Sequence, residues 1–222
     1  MKSVAIRALA ARSQPVAGTA YYDETWAINN AGRVYDFDPD LIVAMDDLQR
    51  DWDSGHHEAY VKAIVDAGCK VYSARSHEQW PTVEPYPLKE VLDAHGMGKG
   101  HWSLFDNSCC YALALALARG FERIGLYGFD FVQPYSKMDL VVENYRWKLK
   151  GYECPDWFAY HAENIVWKRT PQEPGYESLH WWIGFGTARG AEIVLGPNTA
   201  IMNRDRKPHW YGYNLKEMPD LP

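Results

Sequence analysis

The chain of 222 residues lacks the short motifs that would assign it at once to a common enzyme class. It has no Walker loop, no Gly-x-Ser-x-Gly elbow and no His-Glu-x-x-His motif, so P-loop and common hydrolase functions have no support. No segment approaches the ~20 apolar residues that a membrane-spanning helix requires. The apolar run between Met1 and Ala11 is too short for a secretory signal peptide. We therefore expect a cytoplasmic protein that does not enter a membrane.

The composition is also poor in cysteine and in positive charge. The four cysteines, at positions 69, 109, 110 and 154, have none of the spacings of zinc ligands, and we expect reduced thiols. A formal net charge of −6 argues against a broad basic surface for duplex DNA. Aromatic residues, in contrast, are abundant, with 10 Trp and 15 Tyr. Many of them follow residue 144, where they are available to line a pocket, although packing alone is the simpler explanation.

Short apolar segments alternate with helical segments along the chain, which is typical of an α/β fold. Strands are predicted at 3–8, 26–28, 41–45, 70–73, 123–127 and 192–195, and helices at 54–67, 108–119 and 176–189. Right-handed crossovers between such strands give a mainly parallel, Rossmann-like sheet with helices on both faces. We predict a single domain over 1–222, with an irregular, aromatic-rich segment at 132–175 as a lid or insertion.

The stretch from Asp106 to Asp130 is the most informative part of the sequence. Asp106, Asn107 and Ser108 are good helix N-caps, and Gly120 is a typical C-terminal stop. The Ala and Leu residues between them leave no polar face, so this helix is predicted to be buried. The amino end of a buried helix is also a ready site for an anion.

Polar residues follow three of the predicted strands. They are Asn29-Asn30, Asp46-Asp47 and Gly128-Phe129-Asp130. In a parallel sheet these strand ends share one edge, where ligands bind in open α/β folds. Single Asn or Asp residues at such positions commonly do no more than end a strand. Three together favour a binding cleft for a polar ligand.

Two further segments are candidates for ligand contacts. The first strand leads to Ser13 through alanines instead of the glycine-rich turn that cradles a pyrophosphate. Ser13 is available to cap a helix or to bind a phosphate. Asp36 and Asp38 form an Asp-x-Asp pair able to share a divalent cation, although their position before a strand favours a turn. His161, inside the aromatic segment, is a candidate general base, and a packed histidine is an equally good explanation.

Four of these segments resemble a known group: the bacterial CMP-sialic-acid-dependent sialyltransferases and the hydroxymethylpterin-diphosphokinase-like proteins related to them in fold. The segments are Val4–Ile6 with the later Ser13, Trp26–Asn30, Asn107–Asp130 and Leu195–Thr199. Many phage-encoded proteins of unknown role share this outline, so the resemblance implies a phage-type member. Two departures are the absent glycine turn and an aspartate, Asp46, where the family has an asparagine.

The resemblance also implies roles for individual residues. Asn29 would contact the donor nucleotide, Asp46 would line the same site, and Ser108 would lie beside the donor's anionic group. Tyr135 would stabilise the leaving phosphate, and His161 would act as the general base. The full set of candidate donor-binding residues is Ser13, Asn29, Asn30, Asp46, Asn107, Ser108, Gly128 and Asp130.

The leading hypothesis is a glycosyltransferase that uses a nucleotide sugar and requires no cofactor. Its acceptor is left open between a glycan and a hydroxylated DNA base or nucleotide, the latter implying a role in DNA modification. One alternative is a Mg²⁺-dependent diphosphokinase-like enzyme, with ligands among Asp36, Asp38, Asp46 and Asp47. The other is a protein that binds or sequesters a nucleotide without catalysis.

Overall fold

The computed structural model describes residues 1–9, 14–15, 18–55, 57–98, 101, 104–129, 173–197 and 199. These residues form one seven-stranded sheet in the order β5-β4-β3-β2-β1-β6-β7. Every neighbouring pair is parallel. The strands are β1 (Ser3–Arg7), β2 (Glu24–Ile28), β3 (Leu41–Val43), β4 (Lys70–Ser73), β5 (Val83–Pro85), β6 (Arg123–Tyr127) and β7 (Glu192–Leu195). The predicted α/β, Rossmann-like class is confirmed.

Helices cover both faces of the sheet, and most of the core lies in two clusters, one on each face; a third, small cluster consists of Ala5, Tyr22 and Tyr127. They are α1 (Ala31–Tyr35), α2 (Leu48–Asp53), α3 (Glu58–Val65), α4 (Leu88–Ala94), α5 (Ser108–Ala118) and α6 (Glu173–Ala188). On one face, α4, α5 and α6 bury the side chains of β1, β2, β3 and β6 around Trp26 and Trp182. On the other face, α1, α2 and α3 pack over β2 to β5 around Ile42 and Ile64. Alternate residues of each strand therefore enter different cores.

The prediction of a buried helix before β6 is confirmed. Seven residues of α5, including the run Ala112–Ala116, are buried, because a helix of Ala, Leu and Cys has no face that prefers water. Gly120 has φ +73° and ends the helix. The amide of Phe121 bonds to the Ala116 carbonyl at 3.1 Å, and that of Gly120 to Leu117 at 3.1 Å, which is a Schellman cap.

The predicted helix over 54–67 is wrong at its start. Two helices, α2 and α3, occupy this region, and Gly55 with φ +69° separates them. The capping also differs, because the Asp47 carboxylate accepts the amide of Arg50 and thereby begins α2 before residue 54. The short helices α1 and α4 were not predicted either.

Strand boundaries show smaller differences. β4, β6 and β7 match the predicted ranges, whereas β1 ends at Arg7, β2 begins at Glu24 and β3 ends at Val43. β5 was predicted as irregular because of Pro85. Since β5 is the edge strand and Pro85 its last residue, the missing amide does not interrupt a central pairing.

The predicted lid over 132–175 lies outside the described residues up to 172, and from Glu173 onward the chain is already helical. Cys69, Cys109 and Cys110 are free thiols, and Cys154 lies outside the described part. Among the described helices, none combines the length and the apolar character needed to cross a membrane.

Candidate functional site

The strand order reverses between β1 and β6. From β1 the chain builds outward through β2 to β5, and it then returns to place β6 on the other side of β1. In parallel α/β sheets, the loops that leave the carboxyl ends of two such strands run in opposite directions. The crevice between these loops is where ligands bind. The residues that follow β1, β2, β3 and β6 therefore surround the candidate site.

Asn29 ends β2 in a conformation that few side chains tolerate. Its φ is +54°, a left-handed value that asparagine adopts more readily than most residues. Its amide donates to the Val43 carbonyl at 3.1 Å, which ties the end of β2 to β3. Its side-chain Oδ1 is buried and has no hydrogen-bond partner among the residues that the structure describes. An unpaired buried acceptor is costly, so this oxygen is a good candidate for a ligand contact.

Asn30 and Asn107 each precede a helix and accept hydrogen bonds from the amides of its first turn. Asn30 is buried, and its carbonyl accepts the amides of Arg33 and Val34 at the start of α1. The side chain of Asn107 accepts the amide of Cys110 at 3.1 Å and caps α5. The predicted roles of these two asparagines in donor binding stay predictions.

Ser108 joins the start of α5 to the end of β3. Its Oγ accepts the backbone amide of Met45 at 3.1 Å. The hydroxyl proton is thus available to be donated to a ligand oxygen. Asn29 and Ser108, through Val43 and Met45, are both attached to the carboxyl end of the same strand.

Asp46 and Asp47 point into different surroundings. The Asp46 carboxylate accepts the hydroxyl of Tyr60 at 2.6 Å, and burial raises the Tyr60 pKa well above its ordinary value. Asp47 accepts the Arg50 amide and pairs with the Arg75 guanidinium at 2.9 Å. The amide first and the guanidinium second hold the pKa of Asp47 below its ordinary value. Among the described residues, no three possible ligands come together as a metal site.

Gly128 and Gln14 both contact the residues at the carboxyl end of β1. Gly128 has φ +76°. A Cβ added to it would overlap the carbonyl group of Ala8, because it would lie only 2.7 Å from the Ala8 carbonyl carbon. The Gln14 side chain donates to that carbonyl at 2.7 Å and accepts Arg7 Nε at 3.1 Å. The Gln14 side chain therefore ties the segment after β1 to the last residues of that strand. Nothing in the sequence pattern indicated Gln14.

Four candidate residues fall outside the described part of the chain. They are Ser13, Asp130, Tyr135 and His161. Their predicted roles stay predictions, and the structure brings Asn29, Asp46, Ser108 and Gly128 to one edge without them. The Asp36–Asp38 segment forms the turn between α1 and β3, with Asp36 at φ +54°.

Sequence reasoning missed two surface features. One is a shallow depression after β4, about 390 Å³ in volume, lined by Gln49 and residues 75–79. It includes His77, whose Nε2 is buried without a partner in the described part of the chain and whose pKa is lowered by burial. The other is a groove of about 420 Å³ between α1 and α3, whose lining includes Asn29 and Asn30. The groove residues come from separate segments, so no motif marks them.

Comparisons with known proteins gave structural similarities only. No family model matches the chain, and no curated protein matches it. One similar structure is the sialyltransferase CstII from Campylobacter jejuni in complex with the substrate analogue CMP-3FNeuAc, at 14% identity over 91% of this chain and 84% of that chain, with a TM-score of 0.49.

Two further CstII structures are similar to the same extent. The complex with cytidine-5'-monophosphate has 15% identity over 91% of this chain and 83% of that chain, with a TM-score of 0.48. The complex with a trisaccharide acceptor and CMP has 13% identity over 91% and 84%, with a TM-score of 0.48. At these identities, the roles of residues in this chain rest on its own geometry.

Proposed function

We propose that the protein is a glycosyltransferase that uses a nucleotide sugar bound along the carboxyl edge of the sheet. The observation that carries this proposal is the buried, unpaired Oδ1 of Asn29 at the end of β2. An acceptor kept without a partner at a ligand-binding edge favours a ligand that supplies the missing N–H or O–H group. A base or a ribose of a nucleotide can supply either.

The amino end of α5 is suited to the anionic part of such a donor. Ser108 keeps a hydroxyl proton to donate, and the positive end of the helix dipole lies at the same place. In the proposed reaction His161 takes the proton of the acceptor hydroxyl, and Tyr135 donates to the departing phosphate. The anomeric carbon exchanges its bond to phosphate for one to the acceptor oxygen. We propose a glycan or a hydroxylated DNA base or nucleotide as the acceptor.

The binding step is tested by thermal unfolding with a panel of nucleotides and nucleotide sugars. A ligand at 100 times its Kd adds about 2.7 kcal/mol to the unfolding free energy, which is readily measured. We expect at least one nucleotide sugar to raise the Tm of the wild type and to lose most of this effect in Asn29→Gly. Glycine accepts the positive φ of residue 29, so the fold is retained. A panel without any stabilising nucleotide would contradict the proposal.

The chemical step is tested by turnover with and without a chelator. A glycosyltransferase of this design should retain activity in the chelator and lose about 10²–10⁴-fold in kcat in His161→Ala. Donor affinity should stay unchanged in that variant, because His161 is assigned to the acceptor. Activity that depends strictly on Mg²⁺ would instead favour the diphosphokinase-like alternative. Donor binding without turnover of any acceptor would favour a sequestering protein.

A further inference from the structure

The segment that follows β3 is fixed from two sides where it reaches the carboxyl edge of the sheet. The backbone amide of Met45 donates to Ser108 Oγ at 3.1 Å. The hydroxyl of buried Ser73, at the end of β4, donates to the Asp46 carbonyl at 3.2 Å. Asp46 therefore follows directly on the residue that is bonded to the start of α5. Because β4 and α5 hold this backbone, the Asp46 side chain is presented in a defined position.

The carboxylate of Asp46 is oriented by a phenol. Its Oδ2 accepts the hydroxyl of Tyr60, in the first turn of α3, at 2.6 Å. Burial holds the Tyr60 pKa well above its ordinary value, so the hydroxyl keeps the proton that it donates. Asp46 is only partly buried, and its Oδ1 has no hydrogen-bond partner in the described part of the chain. One carboxylate oxygen is thus fixed, and the other is available to a ligand.

The basic side chains near the end of β3 are engaged by other carboxylates than Asp46. The guanidinium of Arg50 lies 3.3 Å from Asp51, and that of Arg75 lies 2.9 Å from Asp47. Among the described residues, Asp46 takes part in no ion pair. An ionised carboxylate only accepts hydrogen bonds, so a ligand group beside it must donate them. A ligand carboxylate at this place cannot donate, and it also meets a like charge.

We propose that Asp46 selects a donor whose transferred sugar is uncharged and bears hydroxyl groups. The donor phosphate occupies the start of α5, where Ser108 and the helix dipole favour one anion. A hydroxyl of the adjoining sugar then donates to Asp46 Oδ1, while Tyr60 holds the carboxylate in place to accept it. This selection rests on the proposed function, and it adds the class of sugar that is transferred.

A sugar acid fits this arrangement poorly. Its carboxylate brings a second acceptor where a hydrogen-bond donor is needed, which leaves Asp46 Oδ1 without a partner. It also brings a second negative charge close to the first, and such a repulsion costs about tenfold in affinity at a partly exposed site. A sugar acid should therefore bind more weakly than the neutral sugar of the same ring.

Matched pairs of nucleotide sugars test the selection. UDP-glucose and UDP-glucuronic acid differ only in a hydroxymethyl group that becomes a carboxylate, and GDP-mannose and GDP-mannuronic acid differ in the same way. Calorimetric titration in EDTA compares them, so that no divalent cation bridges two carboxylates. In each pair that binds, we expect about tenfold higher affinity for the neutral sugar. Equal affinities, or a preference for the acid, would overturn the proposal.

Asp46→Asn tests the residue itself. The amide retains the size and an acceptor for Tyr60 but loses the charge, so the variant should bind the sugar acid more tightly and narrow the preference at least about threefold. The matched control is Asp66→Asn at the exposed end of α3, which makes the same charge change and should keep the preference of the wild type. Far-UV circular dichroism and Tm verify that both variants are folded. The same preference in both variants would overturn the assignment to Asp46.

Tyr60→Phe tests the positioning of the carboxylate. It frees Asp46 Oδ2 without changing the charge, so the neutral nucleotide sugar should lose about threefold to tenfold in affinity. The nucleotide alone, UDP or GDP, lacks the sugar and should bind as it does to the wild type. Equal losses for the nucleotide and the nucleotide sugar would give Tyr60 a purely structural role and overturn its part in the selection.

The two proposals fail in different ways. If nucleotide sugars bind and react but neutral and acidic sugars bind alike, the transferase proposal stands and the selection by Asp46 is lost. If neutral nucleotide sugars bind preferentially but no acceptor receives the sugar, the selection stands and the transferase proposal is lost. If no nucleotide sugar binds, both are lost.

Discussion

Ser108 Oγ accepts the backbone amide of Met45 at 3.1 Å, and this contact joins α5 to the carboxyl end of β3. Met45 lies beyond the last residue of β3, so its amide has no partner in the neighbouring strands. It needs another acceptor, because a buried amide without one is costly. The hydroxyl thus positions the edge of the sheet against the start of the buried helix. It does so while retaining its own proton for a ligand.

Ser108→Ala should lower the unfolding free energy by about 1 kcal/mol, since the Met45 amide loses its acceptor. Urea unfolding followed by circular dichroism measures the change. Ser76→Ala, on the exposed loop after β4, is the control and should stay within ±0.5 kcal/mol of the wild type. Equal stability of the two variants would show that water replaces the hydroxyl at no cost.

Asn29→Gly should leave the unfolding free energy unchanged or raise it by up to about 1 kcal/mol. The variant removes an unpaired buried acceptor, and glycine adopts φ +54° without strain. Asn29→Ala is the matched comparison and should be less stable than Asn29→Gly by about 1 kcal/mol, because its Cβ resists the left-handed conformation. A large loss of stability in Asn29→Gly would mean that the side chain is structural.

Gly128→Ala and Gly120→Ala separate backbone strain from steric overlap. Both residues have φ near +75°, so each substitution should cost roughly 1–2 kcal/mol of backbone strain. A Cβ on Gly120 meets nothing within 4 Å, whereas one on Gly128 overlaps the Ala8 carbonyl group. Gly128→Ala should therefore lose about 1–3 kcal/mol more. Equal losses in chemical denaturation would contradict the close approach of β1 and β6.

His95 should make the protein less stable in mild acid. Its ring lies against Trp182 and Phe185, and its Nε2 is 2.9 Å from the Ala114 carbonyl oxygen. Burial lowers the pKa of His95 below 6.5, and nearby Arg189 acts in the same direction. As the pH falls through about 6.5, the unfolded chain takes up a proton that the folded chain binds more weakly, so unfolding becomes more favourable.

An NMR titration should place the His95 pKa below that of a model histidine. Denaturant unfolding at about pH 7.5 and about pH 5.5 should show a smaller difference in His95→Gln than in the wild type. A His95 pKa above about 6.5 would reverse the sign of the effect and contradict this account.

The segment from α5 to β6 was predictable because every local signal agreed. Its caps, its uniformly apolar helix and the stop at Gly120 each specify the same structure. The region of α2 and α3 was not predictable to the same degree. An amphipathic pattern continues across Gly55, and the Asp47 cap that begins α2 is visible only once the loop is folded.

The candidate site was predictable only at the strand ends. The positions of Asn29 and Asp46 follow from the rule that parallel strands share a carboxyl edge. Ser108 was indicated by its place at the amino end of the predicted buried helix. The groove is different, because Arg33, Lys62 and Asp66 come together only through the packing of α1 and α3. Their spacing in the sequence matches no motif, and only the tertiary structure shows that they line one groove.

β1 is synthesised before the other six strands of the sheet, and one of its two neighbours, β6, follows more than 100 residues later. Arg7 pairs with Ala27 on one side and with Tyr127 on the other. Until β6 leaves the ribosome, one long side of β1 presents unpaired amides and carbonyls, which is the kind of edge that recruits strands from other chains. Closing the centre of the sheet also requires a contact of high sequence separation, which slows folding. Aggregation during synthesis should therefore be most severe for chains that are released before residue 123, and much less so once Tyr127 is free to pair.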